Sequence, residues 1–126
     1  MSDTLKKSIL VVDDEEIIRE FLFEVLSEDY EITLAADGDE AIEKLGQRGF
    51  DLIITDLKMP RVSGEEVVKY AKSRNPACPV IVISGYSTLF AASESVNHGA
   101  CAFLSKPFSI IELTKTVSDH LEGDAA

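Results

Sequence analysis

A three-layer α/β sandwich on a parallel sheet is the fold this sequence predicts, and three observations carry it. Short runs rich in β-branched residues alternate with segments of helical spacing. Several of those runs lack the in/out alternation of a half-exposed strand, which marks strands covered on both faces. Strand and helix segments follow one another in repeats of about 20 to 25 residues, a spacing that fits βαβ units. Right-handed crossovers then place helices on both faces of one sheet.

The first strand is Ile9-Leu10-Val11-Val12. Ile17, Ile18, Phe21, Leu22, Val25 and Leu26 follow at helical intervals. Tyr30-Glu31-Ile32-Thr33-Leu34 is the second strand, and Ala41, Ile42 and Leu45 form a shorter helical stripe. Gly38 opens that helix region, and Gly46 and Gly49 close it. Leu52-Ile53-Ile54 is the third strand, followed by a helix carrying Val67, Val68 and Ala71 that ends at Asn75-Pro76. Val80-Ile81-Val82-Ile83 is the fourth strand, and residues 88–97, with Leu89, Phe90 and Val96, predict the fourth helix. Gly99 sits where a C′ glycine would end it. Ala102-Phe103-Leu104 is the fifth strand, and Ile110, Leu113, Val117 and Leu121 mark the fifth helix. The tail from Gly123 is small and polar and predicts fraying.

Composition narrows the function. The 126 residues hold 12 Lys+Arg and 23 Asp+Glu, a net charge of −11. This balance argues against binding a phosphate backbone or an anionic membrane surface. It fits a protein that binds cations or docks on basic patches. The length predicts one domain over residues 1–126 with an ordered core over 8–121. Near this size a domain buries roughly two-thirds of its unfolded surface. Cys78 and Cys101 make neither a disulfide framework nor a CxxC motif. The apolar run at residues 9–12 is too short for a signal-peptide core or a span. A reduced, cytoplasmic chain is the expectation.

In open α/β sheets, ligands sit outside the carboxyl ends of the strands. Here those ends carry Asp13-Asp14, Asp56, Ser84 and Lys106. Each has a local reading as well. Asp13 with Glu16 matches a helix-capping pair. Asp56 could start the turn toward Pro60, and Ser84-Gly85 is an ordinary turn pair. A lone Lys106 before Pro107 would point to water. Local readings do not explain why all of them fall at strand ends of one sheet.

Charge sharpens the point. Two like charges at ~4 Å repel by about 1 kcal/mol in water and about 4 kcal/mol at an effective dielectric of 20. Three clustered carboxylates therefore call for a cation. Hard oxygen donors without nearby His or Cys point to Mg²⁺, with Mn²⁺ as the alternative. A divalent ion beside an aspartate, a lysine and a hydroxyl is a setting for phosphoryl transfer, with the Asp as nucleophile.

Val11-Val12-Asp13-Asp14, Thr55-Asp56-Leu57-Lys58-Met59-Pro60, Gly64, Ile83-Ser84-Gly85 and Phe103-Leu104-Ser105-Lys106-Pro107-Phe108 together resemble the receiver domain of two-component response regulators. The resemblance spans about residues 8–121, with all motifs in order. It implies a flavodoxin-like (βα)₅ fold with strand order 2-1-3-4-5. It also implies that Asp56 accepts a phosphoryl group from a phosphohistidine on a sensor histidine kinase or phosphotransfer protein. Asp14, Asp56 and the backbone carbonyl of Lys58 would bind Mg²⁺, and Asp13 would act through a metal-bound water. Ser84 would be the switch hydroxyl, Lys106 the phosphoryl counter-ion, and Phe103 the aromatic switch. The Lys106-Pro107 bond would be cis.

The resemblance further implies a switching module, not a metabolic enzyme, whose only chemistry is gain and loss of phosphate at Asp56. Its moving face would be the fourth helix, fifth strand and fifth helix, which would bind a downstream effector or a second copy. By its position two residues after Ser84, Tyr86 is itself expected to shield the phosphoryl group from water. The competing reading is a Mg²⁺-dependent phosphohydrolase with an aspartyl-phosphate intermediate. Such enzymes carry a second Asp two residues after the nucleophile, where this chain has Lys58. A flavodoxin relative lacks support, since no G-x-G-x-x-G or P-loop is present. His98 and His120 show no metal-ligand spacing and read as helix-end or surface residues.

Overall fold

The computed structural model describes residues 6–59, 61–85 and 99–121. Five parallel strands form one sheet in the order β2-β1-β3-β4-β5. They are β1 (Ser8–Val12), β2 (Glu31–Ala35), β3 (Leu52–Asp56), β4 (Val80–Ser84) and β5 (Ala102–Ser105). Among the described residues the helices are α1 (Glu16–Leu26), α2 (Gly38–Gln47), α3 (Gly64–Arg74) and a C-terminal helix, α4 here (Ile110–Leu121). The helix expected at 88–97 lies outside the described residues. So do Tyr86, Leu89, Phe90, His98, Pro60 and the tail.

Burial explains the strand pattern. Every residue of β1, β3 and β4 is buried, so these strands read as continuous apolar runs. The edge strands β2 and β5 are mostly half-buried. Alternate residues of the central strands still face opposite layers. Leu10, Val12, Ile53 and Val82 pack with Ala41, Leu45, Val67, Val68 and Ala71 of α2 and α3. Ile9, Val11, Leu52, Ile54, Ile81 and Ile83 pack with Leu22, Leu26, Leu113 and Val117 of α1 and α4. Each fully buried aliphatic side chain contributes about 1.5–3 kcal/mol.

Helix starts follow local chemistry at three of the four. The Asp37 carboxylate accepts the Glu40 N–H at 2.8 Å, and the Glu40 side chain accepts the Ala36 N–H at 2.8 Å. Ser63 accepts the Glu66 N–H at 3.3 Å. Ser109 and Glu112 form a reciprocal capping box at 3.0 and 3.1 Å. At α1 the competing local reading, an Asp13/Glu16 capping pair, does not form. The N-cap is Glu15, which makes no side-chain cap, and the Asp13 carboxylate accepts the Glu15 N–H at 2.8 Å instead.

Two members of the helical stripes lie at the surface. Ile17 is 78% exposed and Ile110 is 52% exposed, each in the first turn of its helix. The His120 ring bonds the Thr116 carbonyl within α4, as fits a helix-end residue. No described helix is long and apolar enough to cross a membrane.

Candidate functional site

All strands being parallel, their carboxyl ends share one rim, and ladder bonds fix what that rim presents. The Asp13 N–H donates to the Ala35 carbonyl at 3.2 Å, and the Lys106 N–H donates to the Ser84 carbonyl at 2.8 Å. Asp56 is paired with Ile83 in register, and Ser84 with Ser105. The Thr55 hydroxyl donates to the Asp56 carbonyl at 3.0 Å. Behind Asp56, the Gly64 N–H donates to the Leu57 carbonyl at 2.9 Å. A Cβ on Gly64 would fall 2.0 Å from the Asp56 carbonyl oxygen, so only glycine lets α3 start this close to the end of β3.

The rim is a charge cage. Lys106 Nζ lies 2.9 Å from Glu15 Oε1, 3.1 Å from Asp56 Oδ2 and 3.1 Å from Asp13 Oδ2. It donates hydrogen bonds to Glu15 and Asp56. The Asp13 contact is an ion pair only: its Oδ2 is fully buried and has no hydrogen-bond partner. Asp56 is also nearly buried and accepts the Lys58 N–H at 3.3 Å. A cavity of about 320 Å³ opens over this cage, lined by Asp14, Asp56, Lys58, Ser84 and Lys106 among others.

Burial pushes the Asp13 carboxyl above its ordinary range, against the lowering pull of the Glu15 N–H, and the Asp56 charge adds to the rise. Burial raises Asp56 as well, opposed by its hydrogen bond from Lys106. For Lys106, burial favours the neutral amine, but the bonds to Glu15 and Asp56 outweigh it and hold the ammonium above the ordinary lysine range. One cation thus serves three carboxylates. Oxygens of Asp13, Glu15 and Asp56 lie within 4.8 Å of one another. With an orphaned buried oxygen and only hard donors, these residues fit a hard divalent cation.

The rim brings together Asp13, Asp56, Ser84 and Lys106, as the sequence reading expects. Asp14 is exposed and lines the cavity, outside the tight trio. Ser84 is fully buried. Phe103 is half-buried against the α2/α3 core layer. The Lys106-Pro107 peptide is cis, as expected.

Two features escaped the sequence reading. Glu15 is the closest of the three carboxylates to Lys106, yet its signal is weak: one more acid in the run Asp13-Asp14-Glu15-Glu16. The second is an apolar shoulder on the rim. Ile18, Phe21, Pro107 and Phe108 line a groove with Lys106.

The response regulator receiver domain family matches residues 9–118. ZraR, a transcriptional regulatory protein of Klebsiella oxytoca, is 36% identical over 92 residues, covering 73% of this chain and 21% of that protein. The response regulator RR06 of Streptococcus pneumoniae is 39% identical over 111 residues, 87% of this chain and 51% of that protein. The chain therefore spans a fifth to a half of these relatives. A CheY-like receiver domain from Methanospirillum hungatei superposes with a TM-score of 0.89 at 31% identity, covering 94% of this chain and 96% of that one. The chemotaxis protein CheY4 of Vibrio cholerae gives 0.87 at 33% identity, covering 93% and 100%. The sheet order, the acidic rim and these matches converge, and the chain belongs to the response regulator receiver domain family.

Proposed function

We propose that this domain is a phosphorylation switch in which Asp56 accepts a phosphoryl group from a phosphohistidine of a sensor kinase or phosphotransfer protein. A carboxylate oxygen of Asp56 attacks phosphorus, the P–N bond breaks, and its electron pair returns to the imidazole. The observation that carries this reading is the Lys106 ammonium 3.1 Å from a nearly buried Asp56 carboxylate, at the rim where ligands bind in open α/β sheets. Asp14, Asp56 and the Lys58 carbonyl would hold Mg²⁺, with Asp13 acting through a metal-bound water, and the ion when bound neutralises charge on the transferring group. Lys106 and the Ser84 hydroxyl then donate to the phosphoryl oxygens.

Phosphorylation adds about −1.5 to −2 charge and three strong acceptors at Asp56. Moving a population from 1:99 to 99:1 takes about 5.5 kcal/mol. Two charge-assisted hydrogen bonds, at roughly 1.5–3 kcal/mol each, are of that order. Ser84 moving toward the phosphoryl group would let Phe103 turn inward, which alters the face that carries β5 and α4. That face would signal to an effector domain or protein.

The donor must bring its phosphohistidine to the rim, so it docks around Asp56. The groove of Ile18, Phe21, Pro107 and Phe108 shares Lys106 with the acidic cavity and offers the apolar contact such a partner needs. The phosphohydrolase alternative has no second carboxylate at Lys58 and gains no support from the rim.

The test is phosphoryl uptake from acetyl phosphate, read by intact mass. Wild type gains one phosphoryl group with Mg²⁺ and none with a chelator, and Asp56→Asn gains none. Retained labelling in Asp56→Asn would move the acceptor elsewhere. Turnover of external phosphate esters would favour the hydrolase.

A further inference from the structure

The reaction proposed above gives Glu15 no role of its own, yet Glu15 is tied to both sides of the cage. Its N–H donates to Asp13 Oδ1 at 2.8 Å, and its side chain accepts from Lys106 Nζ at 2.9 Å, the shortest of the lysine's carboxylate contacts. Its position makes this conspicuous. It is the N-cap of α1, and at α2 and α3 the cap side chain accepts a helix N–H, as Ser109 does at α4. Glu15 leaves that bond unmade and turns its carboxylate to a residue 91 positions away. The fully buried Asp13 Oδ2, without a hydrogen bond, faces the same ammonium.

An ammonium has three protons, and here three carboxylates ring it. Once Asp56 carries a phosphoryl group, its own charge is gone and the new acceptors lie farther out over the rim. Lys106 has to reorient toward them. Asp13 is buried and fixed, whereas the Glu15 side chain is 61% exposed, so water replaces the lysine readily when the pair opens. Glu15 is the partner built to let go.

We propose that Glu15 is a positioning residue that holds the Lys106 ammonium in the resting domain and releases it to the phosphoryl group, so that its charge biases the domain toward the resting form. This rests on Asp56 being the acceptor. The probe is beryllofluoride with Mg²⁺, a stable phosphoryl mimic, titrated by ¹⁹F NMR into the full chain. Wild type, Glu15→Gln, Lys106→Met and the double variant form a cycle. Glu15→Gln should bind about two- to fivefold more tightly than wild type, the range of a half-exposed ion pair. In the Lys106→Met background the same change should bring no gain.

A second readout needs no phosphoryl mimic. The ¹H–¹⁵N signal of the Lys106 ammonium should move on Glu15→Gln in the resting protein. No uptake of beryllofluoride by wild type would overturn the Asp56 reading and this proposal with it. Uptake by wild type with unchanged or weaker binding in Glu15→Gln would overturn this proposal alone. An equal gain in both lysine backgrounds would reduce Glu15 to simple charge repulsion and also overturn it. If Lys106→Met binds too weakly to titrate, an unmoved ammonium signal decides against it.

Discussion

At the carboxyl rim one ammonium faces three carboxylates at 2.9 to 3.1 Å, and a buried oxygen is left without a hydrogen bond. At the amino rim the polar groups are matched. A cavity of about 310 Å³ there is lined by Leu45, Phe50, Ile53, Ala71 and Cys78, with Arg48 and Arg74 at its edge. The Arg48 guanidinium lies 4.7 Å over the Phe50 ring, and that of Arg74 lies 5.9 Å from the Tyr70 ring. The Cys78 thiol donates to the Phe50 carbonyl, and burial raises its pKa and keeps it protonated. The Lys72 ammonium donates to the Cys78 carbonyl at 2.6 Å. One rim is settled by its own residues, while the other carries more carboxylates than its one ammonium balances. Where local chemistry is left unbalanced in a well-packed fold, function is the expected reason.

The difference can be broken first at the amino rim. Phe50 is 6% exposed, and Phe50→Ala should cost about 3–5 kcal/mol of stability by urea denaturation. The Mg²⁺ affinity of the folded variant should be unchanged. A large loss of affinity would mean that the rims are not independent.

Gly64→Ala attacks the carboxyl rim sterically. The new Cβ meets the Asp56 carbonyl at 2.0 Å and Leu57 Cα at 2.7 Å, both backbone atoms that cannot step aside alone. Stability should fall by about 1–3 kcal/mol. Unlike Phe50→Ala, this change should also weaken Mg²⁺ binding measured by calorimetry, because it displaces the end of β3 that carries Asp56. Loss of stability with normal Mg²⁺ binding would separate Gly64 from the site.

Asp13→Asn should act with the opposite sign. Burial raises the Asp13 and Asp56 pKa values above 3.8, so the folded protein holds their protons more tightly than the unfolded chain does. Without metal, stability is therefore highest below 3.8 as far as these groups are concerned. It is lost as pH rises through the raised folded values. Removing the Asp13 charge should stabilise the metal-free domain at neutral pH by about 1 kcal/mol and flatten that slope. Lys106 keeps Glu15 and Asp56 as partners in the variant. Added Mg²⁺ should raise the melting temperature of wild type more than that of the variant. A destabilised Asp13→Asn would show that the cage is balanced as it stands.

The sequence makes the fold and most of the rim legible for a physical reason. Strands covered on both faces become unbroken apolar runs, and their carboxyl ends can be read directly from where each run stops, as Asp13, Asp56, Ser84 and Lys106 show. Glu15 is not legible this way, because its meaning depends on Lys106, 91 residues distant. The start of α1 is hard to read for a related reason: Asp13 accepts the Glu15 N–H with one oxygen, and the helix starts behind it. Ile17 and Ile110 sit on helical stripes but in the first turns of α1 and α4, and both are exposed, so periodicity alone does not imply burial there.

The smallest expected effect is the control for the whole comparison. Arg48 stacks on Phe50 and pairs with Glu31 at 3.5 Å, with both side chains about half exposed or more. Exposed ion pairs contribute about 0.2–1 kcal/mol, and an exposed cation–π contact about 0.5–1. The long side chain also loses rotamer freedom when held against the ring, which offsets part of the gain. Arg48→Ala should thus lower stability by roughly 0.5 kcal/mol, and high salt should shrink that difference. Because no unbalanced charge is relieved, the loss should be the same with and without Mg²⁺ and should not change sign with pH. Equilibrium denaturation of wild type and Arg48→Ala across Mg²⁺ concentrations measures this. A loss that grows or vanishes as Mg²⁺ fills the carboxyl rim would show the two ends of the sheet communicating through β3, which carries Phe50 just before its start and Asp56 at its end.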